Sequence, residues 1–250
     1  MEKWTRDQTI IVLRLYCQIP FSKATSTNPY IIYISKLIGR SPNSVKMKIG
    51  NFGSFDENLK TKGIVGLTNA SKLDRDIWNE YSNNWDKLAY QSELLIADLE
   101  KRKKLNLNNT LETIPVGIDK EVFTTQRINQ NFFRNTILAS YNSKCCITGI
   151  SIPDLLIASH IMPWSIDKKN RTNPHNGLCL NSLHDKAFDK GLISISTEYR
   201  IKISDKIKSI DNKAFKDYFY KYENSLISLP EKFLPSKDFL DYHFNNIFQK

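Results

Sequence analysis

Cysteine is scarce in this chain and poorly spaced for a structural role: Cys17, Cys145, Cys146 and Cys179 include no C-x-x-C pair. That pattern excludes both a zinc knuckle and a secreted disulfide framework as the organising device. Long apolar runs are also missing. Nowhere does the chain approach the run of about 18 apolar residues that a bilayer crossing needs, and its first residues show no basic-then-apolar leader. The expected setting is the cytoplasm, with no membrane partner. Acidic residues are the third shortage, 26 against 36 lysines and arginines, for a net charge of +10. Such an excess suits a polyanionic partner, although many basic proteins bind none. No repeat or low-complexity tract is present. At 250 residues the chain is long enough for two modest domains, each with its own core.

Histidine is also rare, which makes its distribution informative. Three of the four, His160, His175 and His184, fall in one stretch beside Asn176, Asp185 and Asp189. Residues 155–161 are apolar up to His160, a polar loop carrying Arg171 and Asn173 follows, and residues 177–180 form a second short apolar run. This pattern predicts two strands of a hairpin with a long connection. A helix is expected next, over residues 183–190, with Ser182 as N-cap and Gly191 as a left-handed C-terminal cap.

Four spaced pieces carry a family resemblance: Cys145-Cys146-Ile147-Thr148-Gly149, Ser159-His160-Ile161-Met162-Pro163-Trp164, Asn173-Pro174-His175-Asn176-Gly177-Leu178 and Ala187-Phe188-Asp189-Lys190-Gly191-Leu192. Together with the strand, loop, strand, helix order they resemble the restriction-type branch of the HNH endonucleases, whose fold is called ββα-metal. The resemblance implies a divalent cation between hairpin and helix. It assigns the final metal-ligand slot, counted from Asn176, to Asp185, with His184 one residue early. Two departures stand out. Ser159 occupies a position that is acidic in many such proteins, and the paired cysteines with which some of them clamp the motif through zinc are absent.

The chemistry can be argued from the residues themselves. Hydrolysis of a phosphodiester needs a water made nucleophilic, charge to stabilise the crowded phosphorus, and help for the departing oxygen. An imidazole with an ordinary pKa of about 6.5 is free to accept a proton near neutrality, so His160 is the expected general base. The cation is expected to be held by Asn176 and by a helix residue, Asp185 or His184, with Asp189 a further candidate one turn on. An aspartate–asparagine site favours Mg²⁺ or Mn²⁺, whereas a histidine ligand also admits Zn²⁺ or Ni²⁺. Arg171 is either a solvated charge or a clamp on substrate phosphate. His175 reads as a surface residue or a phosphate contact, not a ligand, and Trp164 as a packing anchor for the loop.

The first 100 residues read as a helical unit. Trp4-Thr5-Arg6-Asp7 opens a helix, residues 29–38 form a second, and Gly39-Arg40-Ser41-Pro42 turns into a third over residues 43–50, with Ser41 as N-cap. From Gln8 to Phe55 there are six basic residues and no acidic one. The pattern resembles a helix-turn-helix DNA reader, in which Arg40, Asn43, Lys46 and Lys48 would contact DNA. A helical packing or dimerisation module is the other reading. Trp4-Thr5, Asn28-Pro29, residues 38–42, residues 48–52 and Gly66-Leu67 also resemble the domain found ahead of HNH modules in predicted restriction enzymes.

Residues 74–99 are expected to be helical, with Trp78, Tyr81, Trp85 and Leu88 in the core. Residues 101–122 are read as the helix end and a linker. Residues 124–141 form a helix leading into the nuclease module, and Arg127 and Arg134 on it either touch substrate or serve packing. Beyond the motif, residues 192–196 and 199–204 alternate like a hairpin, short helices cover 215–222 and 238–248, and His243 is structural.

The expectation is therefore an α+β chain: a helix-turn-helix-like domain over 1–100, a linker over 101–122, and a ββα-metal HNH nuclease domain over 123–250. Its expected substrate is double-stranded DNA. Cutting both strands with one site per chain calls for a homodimer. A non-catalytic DNA-binding protein with a degenerate HNH fold is the rival reading, and cleavage of RNA or of a structured junction shares the same chemistry. Recognition sequence and any cognate methyltransferase are not legible in the residues.

Overall fold

Four consecutive residues, Ile10, Ile11, Val12 and Leu13, are buried together, which in a helix requires that it be enclosed on all sides. The computed structural model describes residues 3–63, 70–107 and 118–250, in two compact units, Met1–Thr136 and Ile137–Lys250. The enclosed helix is the axis of the first unit. It is α1 (Arg6–Gln18), started by a Thr5–Gln8 capping box. Around it pack α2 (Pro29–Ile38), α3 (Pro42–Gly53), α5 (Lys72–Tyr81) and α6 (Trp85–Leu107), while the short α4 (Glu57–Thr61) follows α3.

The expected Ser41 cap is present on α3, with Pro42 as its first residue, while Asn28 caps α2 and Gly39 ends it at φ +70°. Tyr16, Phe52, Trp78 and Trp85 form an aromatic cluster, with Tyr16 and Trp78 centroids 5.9 Å apart, edge to face. These aromatics are packing, as their spacing suggests.

The basic surface expected over Gln8 to Phe55 is only partly realised. Lys48 is 4% exposed, and its ammonium lies 2.5 Å from the buried Asp74 carboxylate and 4.5 Å from the Trp4 ring centroid. Asp74 also accepts from the Asn51 amide at 2.8 Å and caps α5 through Ser71. Lys48 is therefore a core ion-pair residue, and the expectation that it contacts DNA is corrected. Arg40 stacks over Trp4 and donates to the Gln8 side chain and the Lys3 carbonyl, so it too ties the amino-terminal segment down. Arg14 pairs with Glu93. Asn43 and Lys46 remain exposed on α3.

Helix α6 runs past the point at which the linker was expected. Glu, Lys, Arg and Leu are strong helix formers, and Asp98 pairs with Arg102 one turn later at 2.7 Å. Helix α7 (Ile118–Ser140) starts before residue 122, and the boundary between the units falls within it. Of the expected linker, residues 108–117 lie outside the described residues, as does the Gly66-Leu67 piece.

The second unit is built on a hairpin. β1 (Leu156–His160) pairs antiparallel with β2 (Gly177–Asn181), with Leu156 opposite Asn181 and His160 opposite Gly177. α8 (Ser182–Asp189) packs on both strands. β3 (Ile193–Ile195) and β4 (Ile201–Ile203) form the second hairpin, followed by α9 (Asp205–Lys208), α10 (Lys213–Tyr218) and α11 (Lys237–Asn246). The N-cap of α8 is Asn181, not Ser182: its side-chain oxygen accepts from His184 N at 3.0 Å. Ser182 instead donates to the Leu155 carbonyl.

α11 closes the back of α8. The His243 ring stacks on Phe188 at 3.7 Å, donates from Nε2 to the Phe188 carbonyl and accepts from the Ser194 hydroxyl at Nδ1. Gly191, at φ +65°, lies so close to the Ile247 carbonyl that a Cβ would sit 2.0 Å from it.

Two stability predictions follow from these buried groups. Lys48→Ala should cost about 3–5 kcal/mol in urea denaturation, because it leaves the Asp74 carboxylate buried without its cation. A loss below about 1 kcal/mol would mean the pair is solvated. Burial lowers the His243 pKa to about 4, against the opposing pull of the Phe188 carbonyl. The unfolded ring, at about 6.5, takes up a proton that the folded ring refuses, so stability should fall as pH drops from about 6.5 to 4, by about 3 kcal/mol in full. His160 and His184, also lowered by burial, add in the same direction. Denaturation midpoints at pH 7 and pH 5 measure the slope, and His243→Asn should flatten it.

Candidate active site

The loop between β1 and β2 is held by a ladder of asparagines. Asp167 receives the amides of Lys169 and Asn170, Asn170 Oδ1 accepts from the Asn173 side chain, and Asn173 Oδ1 accepts from His175 N. Asn176 closes the ladder. Its Oδ1 accepts from Met162 N at 2.8 Å, and its Nδ2 donates to the carbonyls of Met162 and Asn170 at 3.2 and 3.3 Å. A carboxamide offers two donors and one acceptor oxygen, and this one, 1% exposed, spends them on backbone. Asn176 is thus a loop clamp, and the expectation that it holds a cation is corrected.

What the clamped loop delivers is the Arg171 carbonyl. His160 Nε2 lies 2.8 Å from that oxygen, which can only accept, so Nε2 carries the proton and Nδ1 is the basic nitrogen of the neutral ring. Burial lowers the His160 pKa, while the Arg171 carbonyl and the Asp189 charge pull it back part of the way. The imidazole is consequently unprotonated at neutral pH. The Trp164 ring meets it edge to face at 5.4 Å. Arg171 lies over the other side of this packing, 4.7 Å from the Trp164 centroid, with Nε donating to the Trp164 carbonyl. Its side chain is therefore docked on the loop, and its main chain orients the histidine.

A cleft of about 570 Å³ lies in front of β1 and α8. Ser159, His160, Trp164, Asp185 and Asp189 line it, together with the exposed Lys186 and Lys190. Asp185 and Asp189 are one helical turn apart on α8, hence on one face. Burial raises the Asp185 pKa; the Ser159 hydroxyl works against this, the like charge of Asp189 adds to it, and Lys186 offsets it. Two carboxylates facing a partly buried cleft are a hard-cation donor set. Among the described residues, no group of three or more His, Cys, Asp or Glu side chains could hold a metal ion.

His184 is absent from this cleft. It is 2% exposed, with Nδ1 against the Asn181 side chain, Nε2 donating to the Tyr218 carbonyl at 2.8 Å, and its ring edge-on to Phe219 and Tyr222. Of the three helix residues expected as ligands from sequence, Asp185 and Asp189 line the cleft, and His184 is corrected to a packing residue. His175 donates from Nδ1 to the Leu234 carbonyl and is likewise structural. Arg127, exposed, and Arg134, half-buried, stand on α7 in the first unit.

Three site features escaped the sequence reading. The Arg171 main-chain carbonyl has no side-chain signature. Asn181 serves as cap and also donates to Thr148 and to Cys145 Sγ, tying the 145–149 turn to the hairpin; an asparagine directly before a helix was the available signal. His243, expected only to be structural, also lines the same cleft.

A hairpin that ends in an oriented histidine is followed by a helix that turns carboxylates to the same cleft, a ββα arrangement. Residues 145–196, which contain this arrangement, match the protein family described as HNH endonuclease. A comparison with curated proteins found no match. No described helix is long and apolar enough to cross a membrane.

Asn176→Ala tests the clamp. It strands a buried N–H and carbonyl, so the expected loss is about 1–3 kcal/mol by denaturation. Unchanged stability would show that the loop holds its shape without it.

Proposed function

We propose that the chain is a metal-dependent endonuclease of restriction type acting on double-stranded DNA, with His160 as general base. The hydrogen bond from His160 Nε2 to the Arg171 carbonyl, in a cleft shared with two aspartates, is the observation that carries this reading. Substrate phosphate would enter between β1 and α8, attracted by the Lys186 and Lys190 ammoniums at the rim. Nδ1 of His160 takes the proton of the attacking water, and the resulting imidazolium is stabilised by the Asp189 charge. Trp164 and Arg171 keep the ring from turning. Asp185 would hold the divalent cation, Mg²⁺ or Mn²⁺, which when bound supplies charge for the scissile phosphate and the leaving 3′-oxygen.

The helical unit, residues 1–100, would select or hold DNA through the exposed face of α3, with Asn43 and Lys46 as contacts. Arg127 is available on α7 for the same purpose. Two chains acting together would cut both strands, giving a cytoplasmic homodimer.

The purified protein should nick plasmid DNA with Mg²⁺ or Mn²⁺, and His160→Ala should lower the rate by roughly 10²–10⁴-fold while leaving fold and DNA binding intact. Because burial lowers the His160 pKa, activity should hold through neutral pH and fail only below about 6.5, as the ring gains its proton. Undiminished cleavage by His160→Ala would sink the assignment.

A further inference from the structure

The loop between β1 and β2 presents its charges in a way that the order of its residues does not reveal. Between Ile161 and His184 the single acid is Asp167, followed directly by Lys168 and Lys169. The Asp167 carboxylate is turned inward: Oδ1 accepts from Lys169 N and Asn170 N at 3.0 and 3.2 Å, and Oδ2 accepts from Asn170 Nδ2 at 2.6 Å. Lys168 and Lys169 are exposed, and among the described residues no ion pair takes either ammonium. Ile166 stands beside them, 55% exposed. A lone exposed isoleucine is ordinary on a protein surface. This one sits on a braced tip. Its amide and that of Asp167 both donate to the Pro163 carbonyl, and Arg171 Nε holds the Trp164 carbonyl. Pro163, Trp164 and Ser165, which lead into the tip, line the cleft that holds His160.

We infer that the 165–169 tip enters the minor groove of duplex DNA beside the scissile phosphate, with Ile166 as a wedge between neighbouring base pairs and Lys168 and Lys169 on the flanking phosphates. This deepens the nuclease reading and rests on it for the choice of DNA. The groove follows from size. The minor groove is about 6 Å wide, against about 12 Å for the major groove, which takes a whole helix. A single turn of chain fits the narrower one, and with residues about 3.8 Å apart the two ammoniums, on long stems, reach the backbones at its edges. The wedge follows from shape. Isoleucine is branched at Cβ and stiff about χ1, so on a tip held by the Asp167 and Pro163 contacts it has little freedom to lose on insertion. Prying a base step open costs stacking energy, least at the flexible pyrimidine–purine steps TA and CA/TG. The tip thereby gives the protein a preference for where it acts without a hydrogen bond to any base edge.

The test is 2-aminopurine fluorescence of short duplexes bound by the full-length protein in EDTA, one of alternating TA sequence and one an uninterrupted A-tract. Saturating protein should raise the signal of the TA duplex several-fold as the base unstacks, and that of the stiff A-tract far less. Ile166→Ser should remove the rise, and Ile166→Leu should keep it. Lys168→Ala and Lys169→Ala should each reduce the slope of log affinity against log salt by about 0.9. Thermal melting of every variant should match the parent, since all three side chains are exposed. A rise that survives Ile166→Ser, equal responses from the two duplexes, a salt slope indifferent to both lysines, or failure to bind duplex DNA overturns the proposal. A changed sedimentation coefficient with Ile166→Ser and an unchanged DNA response would make the tip a contact between copies of the chain, and also overturns it. Unstacking that depends on Ile166, in a parent that nicks no plasmid with Mg²⁺ or Mn²⁺, would keep the wedge and remove the nuclease reading. Nicking that requires His160, with no unstacking dependent on Ile166, would do the reverse.

Discussion

A single hydrogen bond, from the His160 imidazole to the Arg171 carbonyl, decides what the cleft can do. A histidine at the end of a strand could present either nitrogen to substrate, and only a fixed acceptor on one side makes the other reliably basic. That acceptor sits in a loop of irregular backbone, which would wander without internal support. The support comes from Asn176, whose carboxamide bonds Met162 at one end of the loop and Asn170 at the other. Clamp, carbonyl and imidazole form one chain of dependence. Loss of the clamp therefore acts on the imidazole without touching it.

Electrostatics in the first unit shows the limit of counting charges along a sequence. The run from Gln8 to Phe55 is uniformly basic, yet Lys48 and Arg14 are matched by Asp74 and Glu93 from later helices, and Arg40 is absorbed by Trp4, Gln8 and Lys3. An ion pair such as Lys48–Asp74 contributes little net stability, but breaking it on one side is costly, so it fixes the packing of α3 on α5. What remains for a polyanion on α3 is narrower: Lys46 with Asn43 beside it.

Local features of this fold were readable and long-range ones were not. The hairpin, α8 and the α2–turn–α3 segment rest on caps, apolar alternation and a left-handed glycine, all set within a few residues, and each forms where the sequence places it. His184 and Asp185 could not be separated that way, because they are neighbours on a short helix and nothing local fixes which of them turns to the cleft. The Tyr218 carbonyl, 34 residues away, and the rings of Phe219 and Tyr222 draw His184 into the core. Asn176 was misassigned because a carboxamide can bind a metal or a backbone, and only the closed loop shows which. Lys48 differs from expectation for the same reason: a partner supplied by a later helix settles its environment.

Small ββα units bury little surface and need bracing. Here no C-x-x-C pair is available to hold a structural zinc, and all four cysteines are buried with none in a disulfide. The bracing is made of protein instead. The 145–149 turn bonds its Cys146 amide to the Cys179 carbonyl of β2, and Asn181 grips the same turn through Thr148. Behind α8, His243 stacks on Phe188, and Gln249 N donates to the Gly191 carbonyl in a gap that tolerates no side chain at Gly191. These contacts fix both ends of α8, the helix that carries Asp185 and Asp189.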